Sequence, residues 1–232
     1  MNEENELLSQ IERAKELNTE LKKELQNNIS STDVSLKIRN ITEEIFVKLR
    51  ICLDKTILFY LSKKNYLLDN SYLYFPISKN NSDFNSVLKN YGLGDLNYKL
   101  PPFFNLILSF QPFSSPDKEI LTILQEKGSR EKHQFLIKEK REANHISTTF
   151  KSTNGEVSWS KQGARFGNGV YINGVQINPI TQEPVFIPST HQLIRHYNVS
   201  VKLSDKDIEV YSLCTSLIKV VEDIVKKVID LK

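Results

Sequence analysis

The sequence is short of the residue types that most often carry chemistry. Two cysteines, four histidines, one tryptophan and one methionine are spread over 232 positions. Cys52 and Cys214 lie far apart at apolar positions of two helical patterns. That excludes a disulfide scaffold and a redox pair, and points to buried free thiols in a reducing compartment. His133 and His145 are twelve residues apart, and His191 and His196 miss the i,i+4 step that stacks two ligands on a helix, so no metal site is expected. No phosphate-cradling glycine loop occurs; Gly163 to Gly174 lies among alternating residues, where glycines mark turns. No spacing implies a nucleophile triad or a cofactor. Long apolar runs are missing too. The longest, Ile57 to Leu61, is far shorter than the ~20 residues that cross a bilayer. The acidic opening Met1 to Glu6 lacks the apolar stretch of a secretory signal. A cytoplasmic protein with no membrane partner is the expectation.

What is present is enough apolar content, 39%, for one sizeable core, with 25% charged residues. The formal charge of +3 is too small to argue for nucleic acid, but it is unevenly placed. Residues 1–30 hold seven acids against four bases. Residues 127–141 hold Lys127, Arg130, Lys132, Lys138, Lys140 and Arg141 against Glu131 and Glu139.

The chain is organised around Ser31 to Lys63. There Val34, Ile38, Ile41, Ile45, Leu49, Cys52, Leu53, Ile57 and Tyr60 recur at three- and four-residue steps and predict one long amphipathic helix. Ser31 and Thr32 are its candidate caps, with Asp33 in the first turn. About 30 residues at ~1.5 Å each make a rod of about 45 Å, which needs partners along its length. Glu3 to Gln26 reads as a preceding helix, and its short connection favours antiparallel packing on the rod over a coiled coil. Tyr72 to Ile77 is extended, because Pro76 biases Phe75 away from helical geometry. Short helices follow over 81–91, 103–110 and 117–127, and Ser129 to Arg141 reads as a continuing helix jogged at Gly128.

From Asn144 to Leu203 the chain alternates, at Ile146–Phe150, Val157–Trp159, Val170–Ile172, Val175–Ile177, Val185–Ile187 and Tyr197–Leu203. Asn154-Gly155 and Asn173-Gly174 between such runs predict hairpins. Ser204 then caps a final amphipathic helix to Leu231, whose apolar face returns it to the bundle. The expected fold is mainly α with a β insertion (α+β): an antiparallel helical bundle with a small antiparallel sheet before the C-terminal helix. It is read as a single domain, with a helical core over 1–142, the sheet over 143–203 and the last helix over 204–232.

Arg50 and Asp54 lie one turn apart beside Leu49, Leu53 and Ile57. Such a pair is ordinarily a surface pair stabilising a helix by a few tenths of a kcal/mol. An acid this close to a buried stripe needs a cationic or hydrogen-bonding partner, which Lys132 or His133 of Arg130-Glu131-Lys132-His133 would supply. Arg50, Asp54, Arg130, Lys132 and His133 therefore form either a functional cleft or a structural polar network. Lys138, Lys140 and Arg141 are phosphate-binding candidates, against the alternative of a solvated helix face.

Four short stretches carry a resemblance. Leu49-Arg50-Ile51-Cys52-Leu53-Asp54, Tyr74-Phe75-Pro76-Ile77, Gln111-Pro112-Phe113 and Lys132-His133 resemble, in that order, motifs of an uncharacterised bacterial family. Those motifs are Leu-Arg-x-x-Leu-Asp, Phe-Pro-Ile, Gln-Pro-Tyr and Asp-Lys-His-Arg, and the family falls within the HEPN-like helical class. The resemblance spans about Ser31 to Arg141; Glu131 and Gln134 depart from it where the family has Asp and Arg. It implies an HEPN-like bundle, pairing as a homodimer, and RNA or nucleotide binding in defence or stress. In ribonucleases of that class a His acts on the 2′-hydroxyl and an Arg, four to six residues away, steadies the phosphate. Arg130–His133, Arg141–His145 and Arg195–His196 all miss that spacing, and Lys140–His145 offers no guanidinium fork. Two readings stand. One is an HEPN-like binder of RNA or nucleotide with Arg50, Asp54, Arg130, Lys132 and His133 at its cleft. The other is a non-enzymatic module that dimerises or docks on a protein partner through residues 1–30 and the sheet.

Overall fold

The structure is a computed structural model that describes residues 3–27, 34–66, 73–128, 139–153, 155–160, 163, 165–203 and 205–231, with 27, 139–146 and 196–199 described by backbone alone. It is mainly helical, with a small antiparallel sheet before a C-terminal helix, as the sequence patterning predicts. The chain divides into two compact units, residues 1–140 with 201–232, and residues 141–200.

In the first unit the organising helix is α2 (Leu36–Lys63). It begins later than expected. Ser35 is the cap, its Oγ accepting from the Ile38 N–H at 3.2 Å, and Ser31, Thr32 and Asp33 lie outside the described residues. Burial also exceeds one stripe: Phe46, Phe59 and Leu61 are enclosed along with Ile38, Ile45, Leu49 and Leu53. Buried Thr42 and Thr56 donate to the carbonyls of Ile38 and Cys52, at 2.8 and 2.7 Å, so neither hydroxyl is left unpaired.

Helix α1 (Glu3–Asn27) runs antiparallel to α2. Cross-links join early positions of one to late positions of the other: Lys55 to Glu6, Arg13 to Glu44, and Lys37 to Glu20 and Glu24. Its apolar stripe, Leu7, Ile11, Ala14, Leu17 and Leu21, is at most 2% exposed, so that face is used within the chain. Helix α7 (Val210–Ile229) packs on both, with Asn18 Nδ2 donating to Thr215 Oγ1 at 2.9 Å and Lys15 paired to Glu222 at 3.0 Å. Cys52 and Cys214 are buried and free, and burial pushes the Cys52 thiol up to about 12, leaving it inert.

The final helix is shorter than Asp205–Leu231. Ahead of it the Leu203 N–H bonds to the Ile208 carbonyl and Asp207 takes φ +55°. Glu209 then caps α7 by accepting from the N–H groups of Tyr211 and Ser212, and Ser204 lies outside the described residues. Between α2 and α7 come the extended segment 73–78, α3 (Asn81–Asn90), α4 (Leu96–Lys99), α5 (Pro101–Ser109) and α6 (Ile120–Lys127). The stretch before α6 forms two 3-10 turns, Pro112–Ser114 and Pro116–Lys118, because each proline opens a turn rather than extending an α-helix.

The expected helix over Ser129–Arg141 is overturned from Glu139 onward. Glu139–Ser152 is one strand, β1; residues 129–138 lie outside the described residues. β1 pairs antiparallel with β2 (Gly155–Ser160), placing Phe150 opposite Val157, and β5 (Gln192–Leu203) lies on its other side in the order β2-β1-β5. Pairing with strands distant in sequence outweighs a local charge spacing that suits a helix. β3 (Tyr171–Ile172) and β4 (Val175–Gln176) form the second sheet. Their turn, Asn173-Gly174, takes φ +51° and +78°, the positive pair that a type I′ hairpin requires. Val185–Ile187 is not a strand. Ile177 makes only an isolated bridge to Pro184, and Pro184 and Pro188 flank the run. The core of this unit is Phe150, Trp159, Ile172, Val175 and Ile177. Among the described residues, no helix is long and apolar enough to cross a membrane.

Candidate functional site

An extended segment threaded among helices has no neighbouring strand, so side chains must satisfy its backbone. Residues 73–78 are met in this way by the residues singled out from the sequence. Arg50, only 5% exposed, donates through Nη2 to the Phe75 carbonyl at 3.0 Å and through Nη1 to Gln125 Oε1 at 2.6 Å. The same Nη2 lies 3.0 Å from Asp54 Oδ1, which accepts from the Phe75 N–H at 2.8 Å. From the end of α5, buried Gln111 takes the next positions. Its Oε1 accepts from the Ser78 N–H at 3.0 Å, and its Nε2 donates to the carbonyls of Pro76 and Ile107 at 2.9 and 3.1 Å. Arg50, Asp54 and Gln111 thus bracket Phe75–Ser78 as a neighbouring strand would.

Burial lowers the Arg50 guanidinium from its usual range, and the Asp54 charge opposes that shift. Burial likewise pushes the Tyr91 phenol up, with Arg50 opposing. The half-exposed Tyr74 ring lies 6.0 Å from the guanidinium carbon. Gly128 is required for a steric reason. A Cβ there would sit 2.7 Å from the Leu124 carbonyl, 3.0 Å from Arg50 Cβ and 3.2 Å from the Phe46 carbonyl, so only glycine lets the end of α6 come this close to α2. That approach seats Gln125 against Arg50.

The structure therefore brings Arg50 and Asp54 together. Arg130, Lys132, His133 and Lys138 lie outside the described residues, and Lys140 and Arg141 fall in β1. Lys127, at the start of the basic run, pairs with Asp205 at 2.7 Å and holds that carboxyl below its usual range. Gln125 left no signal in the sequence, and Gln111 was visible only as the head of the Gln111-Pro112-Phe113 motif, not as a network member. The arrangement is suited to holding backbone. Among the described residues, two open hollows, about 500 Å³ beside Glu6 and Lys55 and about 570 Å³ beside Phe113 and Lys206, are not lined by Arg50, Asp54 or Gln111. Among the described residues no group of three His, Cys, Asp or Glu is placed to hold a metal ion.

Comparison of the chain with family models, with curated proteins and with solved structures finds no match.

Proposed function

We propose that this chain is a non-enzymatic, cytoplasmic protein-interaction module in which Arg50, Asp54 and Gln111 form a structural network. The observation that carries this reading is that Arg50 and Asp54 both bond to the backbone of Phe75. The motifs that resemble the HEPN-like family also touch one another, the first and third both bonding to the second. A folding role is enough to explain their shared order. The second reading, an HEPN-like binder of RNA or nucleotide acting in defence or stress with His133 in its cleft, is favoured by the basic run over 127–141.

Purified wild type and His133→Ala, assayed for RNA binding and cleavage at two salt concentrations with thermal stability recorded, separate the two. The module reading expects no cleavage and no binding that depends on His133. Cleavage or salt-sensitive binding lost in a stably folded variant replaces it with the second reading.

A further inference from the structure

The sheet unit turns large apolar side chains outward. Ile172, Val175 and Ile177 are at most 8% exposed, whereas Tyr171 is 63%, Val185 59%, Phe186 60% and Ile180 90% exposed. Tyr171 lies opposite Gln176, and the Val185 N–H bonds to the Gln176 carbonyl at 2.9 Å, so these positions run side by side across the ribbon. Ile187, 49% exposed, extends the run.

This display is held in place. Ile180 tips a turn closed by the Asn178 N–H on the Glu183 carbonyl at 2.8 Å, with Asn178 Oδ1 accepting from Ile180 and Thr181. Gln182 fixes the turn to the unit's core. Its Oε1 accepts from the Phe166 N–H, its Nε2 donates to the Phe166 carbonyl, and its own carbonyl accepts from Trp159 Nε1 at 3.0 Å. An apolar surface ordered before contact loses less entropy on binding.

We infer that this face, Tyr171, Ile180, Val185, Phe186 and Ile187, is where a second copy of the chain docks, an inference that rests on the interaction-module reading. Three observations favour a copy. With about 200 Å² for each large side chain, the five fractions expose on the order of 600 Å², near the upper end of patches on monomers and most of the ~800 Å² per partner of a standard interface. Charge is sparse around it: residues 141–200 hold five Lys and Arg and three Asp and Glu. Of these, Arg195 forks onto Glu183 at 2.8 and 2.9 Å and Lys151 pairs with Glu156, so the surface neither repels its own copy nor offers a strong field to nucleic acid or an anionic membrane. Pro184 and Pro188 bar strand addition at Val185–Ile187, which leaves face-to-face packing of side chains across a two-fold axis.

Sedimentation velocity from about 1 to 100 µM tests this on wild type and on the Ile180→Ser, Phe186→Ser double variant, with Trp159 fluorescence as the check on folding. The expected result is a concentration-dependent dimer in wild type, undiminished by salt, and at least a tenfold loss of association in the variant with fluorescence unchanged. Should the double variant lose its Trp159 signal, Tyr171→Ser carries the same comparison. A wild type monomeric throughout, or a folded variant that associates equally well, overturns the inference. So does a monomer that binds neutral or anionic phosphatidylcholine–phosphatidylserine vesicles through these residues. None of these outcomes touches the RNA assay, whose result alone decides the underlying reading.

Discussion

In the helical unit thirty-nine described residues form one buried apolar cluster, tied outside it by ion pairs and side-chain hydrogen bonds; in the much smaller sheet unit the buried set is five, yet six large apolar side chains are exposed, as many as on the helical unit. Both units nonetheless use one device. A glutamine amide stands in for a missing neighbouring strand, Gln111 against Pro76 and Ser78, Gln182 against Phe166. In the first unit that device closes a core. In the second, with so little apolar area to bury, it fixes the shape of a surface instead. The same hydrogen-bond chemistry serves stability in one place and display in the other.

The contrast breaks most visibly under truncation of apolar side chains. Leu53→Ala, at a position 0% exposed, is expected to cost about 2–5 kcal/mol of stability in denaturant unfolding. Ile180→Ser, at a position 90% exposed, should stay within about 0.5 kcal/mol when measured at concentrations where the protein is monomeric. Equal losses would mean that the sheet unit hides Ile180 in solution.

The glutamines come next. Gln111→Leu leaves the Ser78 N–H and the Pro76 carbonyl without these partners in a buried setting, at about 1–3 kcal/mol each. Gln182 is only half-buried, so water replaces part of what Gln182→Leu removes and its effect on the melting temperature should be less than half as large. Trp159 is the single tryptophan and lies in the core of the sheet unit, so its fluorescence reports that unit while helical circular dichroism reports the other. The fluorescence transition is expected at the lower temperature; coincident transitions would make the chain one cooperative body.

The smallest effect is a pH dependence. Lys226 and Lys15 hold the Glu222 carboxyl below its usual range, with burial opposing them. A carboxyl with a depressed folded value contributes stability that is complete above about 4.5 and is lost as pH falls through that folded value. Glu222→Gln should flatten this acid limb by about a few tenths of a kcal/mol, the scale of partly exposed pairs. An unchanged limb would show that the Lys15–Glu222 link between α1 and α7 adds nothing.

Much of the architecture was legible because burial leaves a period. The steps of α1, α2 and α7, the hairpin at Asn173-Gly174 and the insertion of strands before the last helix all follow from apolar spacing and turn chemistry. What failed to show has a common cause. The start of β1 at Glu139 depends on strand pairing distant in sequence, and the charges of Glu139 to Arg141 suit a helix just as well. The need of Arg50 and Asp54 for partners was readable from their place beside Leu49 and Leu53. Their partner at Phe75 was not, since a bond to backbone amide and carbonyl leaves no mark in side-chain identity. Gln111 stood out as part of a motif, but its bonds to the backbone of Pro76 and Ser78 were hidden for the same reason.

Arg50→Leu decides most directly whether the polar network holds the fold or serves a site, with thermal stability and RNA binding and cleavage measured on the same preparation. A structural network gives a loss of about 3–5 kcal/mol, because Asp54 and the Phe75 carbonyl lose a buried cationic partner. That is a melting temperature lower by roughly 2–4 °C per kcal/mol, with whatever RNA affinity wild type has left unchanged in the folded fraction. A variant as stable as wild type that has lost RNA binding or cleavage would contradict this and place Arg50 in a functional cleft.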